Sequence, residues 1–373
     1  RAYDTPPPPL EKGSKTTFDP GDAPFGVWVS NDGFDDGGVF TQPRQVARHN
    51  RRLAGQPYKA MIYPNRDKAS GKLIPHSYFI GWEYSTNDDF QDVDFAEAQG
   101  DAYNRWLADY CRHEPTRLFG IASIVQSDVE RAVRMARKAK DLGLVGVFMR
   151  PNPSIGGRFF CDPVYDRLWA TLQDLDLTVG FHPYLANDLP GACRDLGFAQ
   201  FVAPGAHGMT PAGQADEMTG VVGIQNIFFT QALSNVFDMH TTLTMLICGG
   251  TLERFPRLKI IFLEANGGWI VPWLERLDHH HEIFPWDVPQ MTMKPSEYFK
   301  RQCWISFDPD ETTLRFTAES PLVGAERIIW ASDYPHPDAK IPGVIGELRE
   351  AMHGLPPRAQ ERILGLNAVD LYS

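Results

Sequence analysis

Three short stretches of the chain each end in a side chain able to hold a metal or move a proton. "LTVGFHPY" (177–184) reaches His182, "LKIIFLEANGGW" (258–269) reaches Glu264, and "RIIWASDYPHPD" (327–338) reaches Asp333. Neutral imidazole suits Zn, Fe or Mn, and imidazole with carboxylates is what a dinuclear Fe or Mn site uses. The same groups act as general acids and bases. Each residue stands where an apolar run of strand length stops. In alternating β/α proteins the loops at the C-terminal strand ends surround the site. The three residues therefore predict one shared mouth.

Each assignment has a plainer rival. His182 precedes Pro183 and could be a hydrogen-bonded core histidine instead of a metal ligand. Asp333 follows an apolar strand, so its carboxylate must be paired, hydrogen-bonded or metal-bound. As a base it would take a proton from metal-bound water, whose pKa falls to about 7; the rival role is capping the "YPHPDAK" turn. Glu264 either pairs with an arginine, such as Arg150 at the end of 144–149, or binds one metal or bridges two. His240 would close a metal shell, while His207 reads as structural. His336, Arg150 and Trp269 are candidates for substrate contact, and Trp273 and Trp330 read as core and pocket wall. The triple histidine 279–281 falls on a predicted helix, where neighbours point in different directions. It reads as a solvated face.

Regular alternation must position these groups. Strands are predicted over 58–63, 117–124, 144–149, 177–182, 258–264, 303–308 and 327–332. Helices are predicted over 95–115, from an Asp128 cap to about 142, over 162–176 and over about 236–250, with a Trp-rich helix from 269. Units of roughly 30 residues are the pattern of a parallel sheet with covering helices. Residues 183–235, rich in Gly, Ala and Pro, are too many for one unit and read as an insertion on the active-site side. Residues 1–57, with a tetraproline and repeated Asp-Gly pairs, read as an irregular arm with a short helix over 43–53. The expected fold is a (β/α)8 barrel over 58–373, its first strand upstream of Arg1 or missing.

Composition excludes several classes. The chain of 373 residues carries a formal charge of −11, which argues against a nucleic-acid surface. No apolar run approaches the roughly 20 residues that span a bilayer, and no signal peptide is visible. Five scattered cysteines without a CxxC pair read as reduced thiols, so the expected location is cytoplasmic.

Four segments carry a family resemblance. "GGTLERFPRLKIIFLEANGGWIVPWLERLD", "IIWASDYPHPD", "YNRWLADYCRHEPTRLFGIASI" and "RILGLNAVDLY" together resemble the amidohydrolase-related family. This branch includes aminocarboxymuconate-semialdehyde decarboxylase and the aromatic-acid decarboxylases. The resemblance runs from about residue 95 to the end. It implies that His182 is the strand-five metal ligand and Asp333 the strand-eight ligand and proton carrier. Two departures stand out. The paired acid/His motif of strand one has no match before residue 100, where only His49 and His76 occur. At strand six, where the family usually has His, this chain has Glu264.

The expected function is hydrolysis or non-oxidative decarboxylation of a small carboxylate-bearing substrate, with one or two divalent ions (Zn, Mn or Fe). A homo- or hetero-oligomer is expected. One alternative is a dinuclear non-haem Fe or Mn oxygenase with Glu264 as a ligand. The other is a degenerate subunit that supports an active paralogue.

Overall fold

The computed structural model describes residues 93–113, 115, 118–151, 155, 158–183, 230–332 and 344–372. Six strands form one sheet: β1 (Ile121–Ser123), β2 (Gly146–Met149), β3 (Thr178–Phe181), β4 (Ile260–Phe262), β5 (Cys303–Phe307) and β6 (Ile328–Trp330). Each pairs in parallel with the next in sequence. Parallel neighbours need crossovers, and helices supply them. The long first helix α1 (Val93–Cys111) precedes β1; α2 (Val129–Asp141) joins β1 to β2, and α3 (Asp166–Asp174) joins β2 to β3. Then come α4 (Val236–Cys248), α5 (Thr251–Arg254), α6 (Ile270–Ile283), α7 (Pro295–Gln302) and α8 (Leu314–Glu319). The last helices are α9 (Val344–Ala351), α10 (Pro357–Glu361) and α11 (Asn367–Tyr372). This is the consecutively ordered sheet of a (β/α)8 barrel, with six of its staves among the described residues.

Local signals explain these elements. Asp128, in extended conformation, accepts from the Arg131 N–H and starts α2; such a cap is worth about 1 kcal/mol. Ala132, Val133, Met135, Ala136 and Ala139 then form its buried stripe. Asn104 ties α1 to β1: its side chain donates to the Ser123 carbonyl and accepts from the Ser123 N–H, both at 2.8 Å.

Side chains alternate between two cores. Val147, Val179, Phe181, Ile260, Phe262, Ile305 and Phe307 face the helices in the main core. Ile261 and Trp304 face the other way, with Leu371 of α11 packed on them.

The predicted strands over 117–124 through 327–332 all contain an observed one. Their observed cores are shorter, although flanking backbone still bonds across, as the Leu263 N–H does to the Phe181 carbonyl. One boundary differs in kind. The insertion was expected to run to residue 235, but Thr230–Asn235 is already a π-helical turn continuous with α4. The segment "TQALSN" holds neither Gly nor Pro, so nothing in it stops a helix from extending backwards. The arm 1–57, the short helix over 43–53, the strand over 58–63 and most of the insertion lie outside the described residues. No described helix is long and apolar enough to cross a membrane. The described cysteines Cys111, Cys161, Cys248 and Cys303 are free.

Candidate active site

His182 directly follows β3, and its backbone N–H donates to the Met149 carbonyl at 3.1 Å. Its Nδ1 lies 2.7 Å from the Pro183 carbonyl oxygen. A carbonyl can only accept, so Nδ1 carries the proton and Nε2 is left to face another group. That group is the Glu264 carboxylate, with Oε2 at 2.6 Å from Nε2.

Glu264 reaches this position against the alternation of its strand. Leu263 faces the cavity, so the next residue of an extended strand would turn toward the helices, as Phe262 does. Glu264 instead adopts φ +50°, and Asn266 adopts φ +55°. Left-handed backbone at a non-glycine residue is uncommon, and such strain gathers at functional sites. Asn235, in the π turn, donates to the Glu264 carbonyl at 3.4 Å.

A half-buried carboxylate holds the strained loop. Glu311, after β5, accepts from the Gly267 N–H (2.9 and 3.0 Å), the Gly268 N–H (3.3 Å) and the Asp308 N–H (2.8 Å). Burial raises the Glu311 pKa, and these backbone donors oppose that rise. Asn266 donates to Asp308 Oδ2 at 2.9 Å, a second tie between the same two loops. The two glycines are required by space: a Cβ on Gly267 would lie 2.1 Å from the Phe307 ring, and one on Gly268 would lie 2.4 Å from Thr313 Oγ1.

His182 and Glu264 stand in the wall of a cavity of about 360 Å³. Its apolar wall comes from Tyr103, Leu107, Phe119, Ile121, Phe148 and Leu263; its polar groups are His182, Glu264, Ser306 and Asp308. No Lys or Arg lies among its described wall residues.

Arg150 is buried, its backbone N–H donating to Gln126 Oε1. Trp269 bonds its own loop through the Asn266 carbonyl and packs with the core. Neither is among the described residues of the cavity wall. His240 stacks on Trp273 (4.4 Å between ring centres) and meets the Trp269 edge-on (4.6 Å). Asp333 and His336 lie outside the described residues. The triple histidine is on α6 as expected, with His280 bonded to the Arg276 carbonyl. Among the described residues no group of three or more His, Cys, Asp or Glu side chains is placed to hold a metal ion. Sequence reasoning missed Asp308 and Glu311. The strand-end rule, applied to "CWISFDPDE", would have flagged Asp308.

His240 supplies a pH prediction. Burial lowers its pKa from 6.5 to about 4. Above 6.5 neither folded nor unfolded chain protonates it, and its contribution to stability is complete. As pH falls from 6.5 toward 4, the unfolded chain takes a proton that the folded chain refuses, and stability is lost. The loss is at most about 3 kcal/mol, and smaller in proportion to the solvent that reaches the half-buried ring. Urea unfolding at pH 7.5 and pH 4.5 checks this: His240→Gln should shrink the difference between the two pH values, and an unchanged difference refutes the assignment.

The sequence profile of the amidohydrolase family matches residues 81–373. The chain belongs to the amidohydrolase family. The resemblance drawn from four segments is thereby borne out. This amidohydrolase is 25% identical over 271 residues to 2-amino-3-carboxymuconate-6-semialdehyde decarboxylase of Dictyostelium discoideum. The match spans 72% of this chain and 64% of that relative, under two thirds of the relative's length. Among solved structures it is similar to 5-carboxyvanillate decarboxylase from Sphingomonas paucimobilis, with a TM-score of 0.57 and 23% identity. That match covers 76% of this chain and 75% of the other. It is also similar to dihydroxybenzoic acid decarboxylase from Polaromonas sp. JS666, solved with bound manganese and the inhibitor 2-nitroresorcinol. There the TM-score is 0.56 and the identity 22%, over 76% of this chain and 77% of that one. At these identities the structural likeness speaks to the fold, and it agrees with the barrel.

Proposed function

We propose that this amidohydrolase is a divalent-metal-dependent carboxy-lyase acting on a small aromatic or unsaturated acid. The observation that carries the proposal is the His182–Glu264 pair, 2.6 Å apart in the cavity wall. The pair fits a metal by its chemistry. Nδ1 is fixed on a backbone carbonyl, as in most metal-bound histidines, and Nε2 and a carboxylate oxygen converge on one point. Imidazole nitrogen with carboxylate oxygen suits Mn, Fe or Zn. Asp333 is proposed as a further ligand and proton carrier.

The wall's charge supports a cation: its described carboxylates, Glu264 and Asp308, would repel an acid substrate. A bound divalent metal supplies that positive charge and stabilises negative charge on substrate oxygens. The apolar side chains, Phe148 and Leu263 among them, suit the flat body of such an acid.

The chain's own residues then handle the proton. Decarboxylation replaces CO2 by H⁺ on one carbon: the bond to the carboxylate breaks, its electron pair stays on that carbon, and a proton joins it. Asp333 is the proposed donor of that proton, and Glu264 takes the role instead where its carboxylate is not a metal ligand. Relatives support this reading over hydrolysis, since those named above are decarboxylases.

A second reading, O2-dependent hydroxylation at a dinuclear site, is favoured only by the carboxylate at Glu264. One experiment separates them. The purified chain is analysed for metal, then assayed for CO2 release from hydroxybenzoates and a carboxymuconate semialdehyde, with and without oxygen. Oxygen-independent CO2 release with bound Mn or Zn is expected. Oxygen consumption with two irons per chain would move the assignment to hydroxylation, and failure of every metal to support CO2 release would overturn the proposal.

A further inference from the structure

We propose that Ser306 is a specificity-determining residue of the active site. It reads a hydroxyl or amino group that the substrate carries on the side away from the carboxylate it loses. The inference rests on the carboxy-lyase reading and adds a substrate class to it.

Ser306 is the one polar side chain of β5, whose five residues read Cys-Trp-Ile-Ser-Phe. It is 6% exposed and stands in the cavity wall. Among the described residues its hydroxyl has no hydrogen-bond partner. Its neighbours on the same face cannot supply one: Ile329, its register partner on β6, and Leu263 after β4 are both apolar. Buried hydroxyls are nearly always partnered, because an unmet one carries a desolvation cost. Alanine would fill the same space without that cost. The hydroxyl is therefore accounted for by a polar group that enters the cavity.

Sheet register relates Ser306 to the reacting pair. Phe181 pairs with Phe262, and Phe262 with Ile305. The next residues, His182, Leu263 and Ser306, stand at one level, and all three line the cavity. Two strand spacings separate β3 from β5, roughly 10 Å across the sheet. An acid held with its carboxylate at the His182–Glu264 pair thus carries the far end of its ring or chain toward Ser306.

Asp308 narrows the choice of group. It lies two residues further along, on the same face and in the same wall. Its Oδ2 accepts from Asn266 at 2.9 Å. A second carboxylate beside Ser306 would meet that negative charge. A hydroxyl or amino group would not, and either can exchange a hydrogen bond with the serine hydroxyl.

Calorimetric titration of the manganese-loaded full chain tests this. The probes are 2-hydroxybenzoate and its relatives with an added hydroxyl, amino or carboxylate group at ring position 4 or 5. At least one added hydroxyl or amino group should tighten binding about tenfold, the yield of one neutral hydrogen bond, and an added carboxylate should weaken it. Ser306→Ala should erase the gain, leave 2-hydroxybenzoate binding as it was, and keep the thermal midpoint of the parent. A parent chain without this ranking, or a gain that survives Ser306→Ala, overturns the inference. So does a Ser306→Ala chain that fails to fold, since the hydroxyl would then be structural. CO2 release from these acids with no such ranking sinks this inference and spares the carboxy-lyase reading. The ranking without CO2 release does the reverse, and no binding of any acid overturns both.

Discussion

Glu264→Gln is expected to lower kcat for CO2 release by about a hundred- to ten-thousand-fold, the range for removing a positioned acid or base. The change keeps size and shape but removes the charge and the proton. It acts on the one carboxylate that meets His182 Nε2 directly in the described site. Metal content of the variant divides the two roles proposed for the residue. A protein that keeps its metal but loses turnover makes Glu264 a proton carrier. A protein that loses its metal makes it a ligand. Turnover within tenfold of the parent would remove Glu264 from the mechanism altogether.

The second large effect concerns a residue outside the cavity wall. Glu311→Ala is expected to cost about 2–4 kcal/mol, because it removes the acceptor of the Gly267, Gly268 and Asp308 N–H groups, which share one half-buried carboxylate. It should also lower activity, since the released loop carries Glu264 and Asn266 in left-handed conformations that only their surroundings maintain. Glu311→Gln retains one acceptor oxygen and should lose roughly half as much. Guanidinium denaturation gives the stabilities. A destabilisation under about 1 kcal/mol in the alanine variant would mean that the loop holds its own shape.

The strands were legible because each is an apolar run closed by a breaker. The alternation of Ile260, Ile261 and Phe262 between two cores needs nothing beyond a period of two. His182 was legible for the same reason, standing in step with that period. Glu264 was legible as a strand-end carboxylate, but its partner was not. Pairing with Arg150 and binding a metal were both open, and the structure sets the carboxylate against His182. What decides this is a backbone angle at one residue, held by Glu311 from a loop more than forty positions away. No local pattern encodes such a contact. The "NGG" after Glu264 does record half of it, since both glycines sit where a side chain would strike Phe307 or Thr313.

The order of the sheet has a consequence for how the site is assembled. Of the five strand pairings, β3 with β4 closes the longest stretch of chain, and His182 and Glu264 stand on its two sides. Closing a loop becomes dearer only slowly with length, by about 0.6 kcal/mol per doubling. The length of chain between β3 and β4 thus costs this pairing little more than a shorter connection would. Where the reacting pair meets is set by strand register and not by how much chain lies between the strands.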